Sequence, residues 1–244
     1  MIVFIVIICV ELIGLYILSR KLTQNLFIAA FLLTKSRPVA VGFLSIIFFP
    51  GTVIHELAHL FTAEILGVRT SGLTLVPEGI EEKNVRTGSV SIAQSDPIRR
   101  AIIGIAPVFV GLGILGLLSY FLPGVWEQVA LDAQNGILLT SYGVYLFVLM
   151  GYAFFAVSNT MFSSPEDLEG FWPVVGVLAL VSIALFLIGI RINLTEITLF
   201  AVTQFLRSTG TILGYVALLN ILLFFLSVGS IRLVESLTKR RLVR

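Results

Sequence analysis

Charge is scarce in this chain. Asp, Glu, Lys and Arg make up 12% of its 244 residues, against 57% hydrophobic, and the mean hydropathy is +1.04. A soluble domain of this size cannot bury that much apolar surface, which leaves a polytopic helical membrane protein. Cysteine is rarer still: Cys9 stands alone, inside the first apolar segment. That excludes a disulfide framework and a cysteine metal site, and gives Cys9 an apolar packing role. The net charge of +2 is too small to point to nucleic acid. The N-terminus lacks a basic region, and residues 1–19 lack a small-residue cleavage site. The first apolar segment therefore reads as a retained helix rather than a signal peptide. With no internal repeat and no low-complexity tract, residues 1–244 read as a single membrane domain.

Histidine is nearly absent too, and here the scarcity is informative. The two histidines lie four residues apart around a glutamate, in His55-Glu56-Leu57-Ala58-His59. On a helix, residues four apart share a face, so both imidazoles can reach one ion; this is the H-E-x-x-H zinc signature. Glu56 is close enough to polarise a water on that ion. The surrounding apolar run, 39–68, is long enough to set the motif at membrane depth. Two imidazoles and a carboxylate inside a bilayer are costly and mark a functional site more readily than a satisfied core. A hydrolytic zinc site at that depth points to a protease acting within the bilayer.

A span needs about 20 apolar residues. Candidates are 2–19, 39–68, 101–122, 142–161, 171–190 and 210–228, about six transmembrane helices. The apolar stretch 26–33 is too short to span and reads as a re-entrant or interfacial piece. Pro50-Gly51 interrupts the second span, so a break or kink is expected there, with the motif helix starting near Thr52. After the motif, 71–76 and 89–93 alternate in polarity and read as two strands of a small hairpin. The segment 194–206 has apolar residues at helical spacing and reads as an interfacial amphipathic helix. The fold class is thus all-α and polytopic, with a β-hairpin inserted after the motif helix. The basic residues Arg69, Lys83, Arg86, Arg99, Arg100, Lys239, Arg240, Arg241 and Arg244 put the hairpin loop, the tail and the motif end on the cytoplasmic side of the cell membrane.

Two histidines do not complete a catalytic zinc site, which uses three protein ligands and keeps a fourth position for water. With no third histidine, architectures that need one are excluded and the remaining ligand is expected to be a carboxylate. Glu64 lies on a different helix face from the motif. Glu78, Glu81 and Glu82 lie in the turn between the strands, out in water. Glu166, Asp167 and Glu169 follow the fourth span at a membrane edge, on the side where the motif helix ends; the ligand is expected from this cluster.

The chain resembles the site-2 proteases, intramembrane zinc metalloproteases that combine H-E-x-x-H with a later N-x-x-P-x-x-x-L-D-G segment. Asn159-Thr160-Met161-Phe162-Ser163-Ser164-Pro165-Glu166-Asp167 keeps the interval from asparagine to aspartate. Gly104-Ile105-Ala106-Pro107 is similar to the family's small-residue–proline stretch. The departures are Phe162 for the proline, Glu166 for the leucine and Leu168 for the glycine. The resemblance covers about 39–170, the catalytic core; 1–38, an N-terminal helix and connection, and 171–244, the C-terminal helices, match only in being hydrophobic. It implies Asp167 as the third zinc ligand, with Glu166 or Glu169 as alternatives. It implies that Asn159 binds substrate or the oxyanion, and that the substrate is a transmembrane protein or peptide met in the lipid bilayer. Many members carry an inserted substrate-filtering domain, which is absent here.

The expected activity is zinc-dependent endopeptidase cleavage with Glu56 as general base. The hairpin offers an edge to which an unwound substrate can add as a strand, or it is an amphipathic cover on the membrane surface. Two other functions compete. One is a catalytically silent scaffold or chaperone of the same fold, for which an intact Glu56 has no use. The other is a proton or metal transporter, which needs more intramembrane charges than Glu11 and Glu64.

Overall fold

The computed structural model describes residues 2–75, 88–137, 140–162 and 195–238, together with 167, 173–174, 176–177, 180–181 and 184. Five helices and one hairpin make up the described elements: α1 (Ile2–Thr34), α2 (Arg37–Ile65), β1 (Thr70–Thr74), β2 (Ser89–Ile92), α3 (Pro97–Gln134), α4 (Tyr142–Thr160) and α5 (Glu196–Thr238). All five helices are long and apolar enough to cross a membrane. The expected sixth span, 171–190, lies largely outside the described residues.

Three helices run further than their apolar segments. α1 carries straight through 26–33, which is therefore not a separate re-entrant piece. Nothing between Ser19 and Thr34 is proline or glycine, so once the span is nucleated the helix propagates through its polar turn. At 33 residues it is about 50 Å long, well beyond the roughly 30 Å hydrocarbon core. It stops where Lys35 takes a left-handed φ of 57° and Pro38 opens α2. The segment expected as an interfacial helix, 194–206, is likewise the first part of α5 from Glu196 onward, because no breaker separates it from the span.

Of the break or kink expected at Pro50, the break does not occur: α2 runs on through it, and no new helix starts near Thr52. Proline at 50 removes the N–H that the Ile46 carbonyl would accept, and α2 is tied to α4 beside that point: the Tyr152 hydroxyl of α4 donates to the next carbonyl, Ile47, at 2.9 Å. Gly51 serves packing. A Cβ there would lie 2.5 Å from the Ala156 carbonyl oxygen, so α2 and α4 meet backbone to backbone at this turn.

The core lies where α1, α3, α4 and α5 converge, around Leu15, Leu115, Phe154, Val157, Leu213 and Val216. Lipid-type surface surrounds it, with Ile13, Ile46, Phe109, Tyr145 and Phe225 all exposed. Hydrogen bonds stitch the helices together inside. Ser19 donates to the Asn159 carbonyl at 2.9 Å, Asn159 Nδ2 to Asn220 Oδ1 at 2.7 Å, and Asn220 Nδ2 to Ser158 Oγ at 2.9 Å. Such bonds contribute about 0.6 kcal/mol each in a bilayer, so they fix register more than they supply stability.

The expected strands pair antiparallel, Thr70 opposite Ile92 and Thr74 opposite Ser89. A bulge falls between Ser71 and Leu73, where Gly72 takes a φ of 77°, a conformation that favours glycine.

Candidate metal centre

His55 and His59 project from one face of α2, as their spacing requires. Both lie inside the helix: His59 precedes its end at Ile65 by six residues and His55 by ten, or about 9 Å and 15 Å along the axis. The two Nε2 atoms are 3.2 Å apart. Two nitrogens bound at about 2.0–2.1 Å to one tetrahedral ion would be separated by about 3.3 Å, so the rings stand at ligand spacing.

Asp167 closes the group. Its Oδ1 is 3.5 Å from His59 Nε2 and its Oδ2 is 3.9 Å from His55 Nε2. One donor atom from each of the three residues lies within 4.8 Å of the others, a group that could hold a metal ion. Two imidazoles and one carboxylate also match the donor set of a catalytic zinc with a position left for water. Glu166 and Glu169, the alternatives, lie outside the described residues, as do Glu78, Glu81 and Glu82.

The supports of this group come from α3. His59 Nδ1 is 2.9 Å from the Ile103 carbonyl oxygen. A carbonyl only accepts, so Nδ1 carries the proton and Nε2 faces the group. Such a partner behind a ligating histidine sets the tautomer and orients the ring. One residue on, Gly104 admits the chain at Asp167, whose carbonyl occupies the space a Cβ would take. His55 Nδ1 is buried and has no hydrogen-bond partner among the described residues.

Glu56 is buried, 7% exposed, and sits under the hairpin. A Cβ on Gly88, the residue before β2, would lie 3.0 Å from Glu56 Cγ, from Glu56 Oε1 and from Thr52 Cγ2. The start of β2 thus rests directly on this carboxylate. Asn159 belongs to the polar seam between α4 and α5. Its Nδ2 donates to the Phe155 carbonyl at 2.8 Å and to Asn220, while its Oδ1 is buried with no partner among the described residues.

Sequence reasoning missed the Ile103 carbonyl and Gly88. Backbone groups leave no residue-type signal, and a glycine after a polar loop reads as a turn.

No family model, no curated protein and no solved structure matches this chain. Fold and site together define an integral membrane protein of apolar helices, with a candidate metal centre formed by two histidines of α2 and Asp167.

Proposed function

We propose that this chain is a zinc-dependent intramembrane endopeptidase, similar to the site-2 proteases, that hydrolyses peptide bonds of transmembrane substrates. The observation that carries the reading is the meeting of His55, His59 and Asp167 beside a buried Glu56, with the two histidines about 15 Å and 9 Å from the end of an apolar helix. His55, His59 and Asp167 would hold the ion. Zinc bound there supplies a Lewis acid and lowers the pKa of a water towards about 7.

The rest of the chemistry falls to the chain. Glu56 accepts the proton of the attacking water on its carboxylate and returns it to the leaving amine. Burial under the hairpin keeps bulk water from that carboxylate. β1 and β2 form a two-stranded sheet, so each has one edge unpaired within it, and an unwound substrate can add there as a strand. A substrate strand added beside β2, which starts just after Gly88, would bring the scissile bond towards Glu56. An oxyanion role for Asn159 would need its amide to exchange Asn220 for substrate. The basic Arg69, Arg99 and Arg100 flank the hairpin, which supports a cytoplasmic orientation in the cell membrane.

The test is zinc content together with cleavage of a transmembrane reporter peptide in proteoliposomes. About one zinc per chain is expected, and a chelator should remove metal and cleavage together, with both restored by added zinc. Absence of zinc after metal-replete purification, or cleavage that survives metal removal, would overturn the proposal.

Gly88→Ala examines the hairpin contact. The new methyl must push Glu56 or lift β2, because three atoms already stand at 3.0 Å. Cleavage is expected to fall about ten- to a hundredfold with zinc content unchanged. Wild-type turnover in this variant would detach the hairpin from catalysis.

A further inference from the structure

The Ile103 carbonyl that holds His59 belongs to the interior of α3, where carbonyls are ordinarily engaged. In an α-helix the carbonyl of residue 103 accepts from the N–H of residue 107. Residue 107 is proline, which has no N–H, and α3 nevertheless runs on through it. The proline ring also clashes with the carbonyl four residues back and tilts it out of the helix. The acceptor that receives His59 Nδ1 at 2.9 Å is the one that this proline releases.

From this juxtaposition we infer that Pro107 is a positioning residue for the metal centre. By withholding an N–H from Ile103 it keeps that carbonyl for His59, and so holds the ring as the Nδ1–H tautomer with the Nε2 lone pair directed at His55 and Asp167. The inference rests on the metal-site reading of His59.

The side chain of Pro107 is fully buried. A packing role alone would make any well-fitting apolar side chain an adequate replacement. The positioning role depends on the missing N–H instead. α3 contains its own control. Pro123 lies inside the same helix, and the carbonyl that it releases, at Ser119, is sixteen residues beyond Ile103, about 24 Å along the axis.

The experiment uses the full chain in lipid nanodiscs, metal-free and labelled with 15N-histidine. Only two histidines exist, so two rings are seen, and His55→Gln assigns them. At alkaline pH, where the rings are neutral, the ring nitrogen shifts report the tautomer directly. Wild type is expected to show His59 as Nδ1–H. In Pro107→Ala the restored N–H competes for Ile103, the Nε2–H form gains a measurable share, and zinc affinity falls about tenfold, the low end of what losing a ligand's outer partner costs. Pro123→Ala should change neither quantity. Placing the α-hydroxy analogue of alanine at 107 removes the N–H while keeping the small side chain, and should restore both. If Pro107→Ala does not fold, Pro107→Val supplies the same N–H while filling the ring's volume.

His59 found as Nε2–H in wild type would overturn the inference, as would equal zinc affinity for alanine and its α-hydroxy analogue. The tautomer is read without metal or substrate. A chain that binds no zinc and cuts no peptide would sink the protease proposal and still answer this question.

Discussion

Glu56→Gln should leave zinc bound and abolish cleavage. Glutamine has nearly the same shape, so it fits the space bounded by Gly88 and Thr52 without disturbing the turn that presents His55 and His59. It cannot accept a proton at neutral pH. The attacking water then has no base and the leaving amine no acid. General acid–base groups typically contribute about 10²–10⁴-fold, and the proposed mechanism gives both steps to one carboxylate, so a loss near the top of that range is expected. The measurement is single-turnover cleavage of the reporter beside metal analysis of the same preparation. Turnover within tenfold of wild type would remove Glu56 from the mechanism. Lost zinc would make it a ligand or a structural support instead.

The second large effect is at Asp167, where Asp167→Ala is expected to strip the metal. Asp167 brings the one negative charge among the three donors and contacts both imidazoles from across the bundle. Without it a dication would face two neutral rings in a low-dielectric site, with its charge no longer offset. Zinc affinity should fall by more than the roughly 10–100-fold that the loss of a ligand's outer partner costs. Asp167→Asn separates shape from charge and should be nearly as damaging. The readout is zinc content after dialysis against a competing chelator. Zinc retained at wild-type affinity would transfer the third ligand to Glu166 or Glu169 and weaken the resemblance to site-2 proteases.

Between these two effects lies a difference in legibility. His55, Glu56 and His59 were readable because a helix converts a fixed interval into a shared face, and only five residues are involved. Asp167 was reached through the interval from Asn159, and its chain neighbours Glu166 and Glu169 offer the same chemistry. Choosing among three carboxylates needs the path of the chain, which brings Asp167 against Gly104 of α3 and both histidines. The hairpin strands were legible from alternation, while their seat over Glu56 was not, since it depends on how the β2 end returns to α2.

Expectations failed where local composition was taken to end a helix. Pro50-Gly51 resembles a break, and residues 20–25 resemble the end of a span. Both lie inside continuous helices, because close packing against a neighbouring helix or propagation through a polar turn can carry a helix past a local defect. Local sequence carries propensity, and it does not carry the compensation.

By itself the sequence determined the membrane class, since 57% hydrophobic residues and 12% charge leave no soluble alternative, and it determined the two-histidine face with its glutamate, since that geometry is internal to one helix. Only the tertiary structure showed what meets these side chains among the described residues: Asp167 beside His55 and His59, Ile103 behind His59, and Gly88 on Glu56. The physical reason is range. Helix periodicity acts over a few residues, whereas these contacts join residues tens to over a hundred positions apart, and only the packing of α2, α3 and the hairpin brings them together.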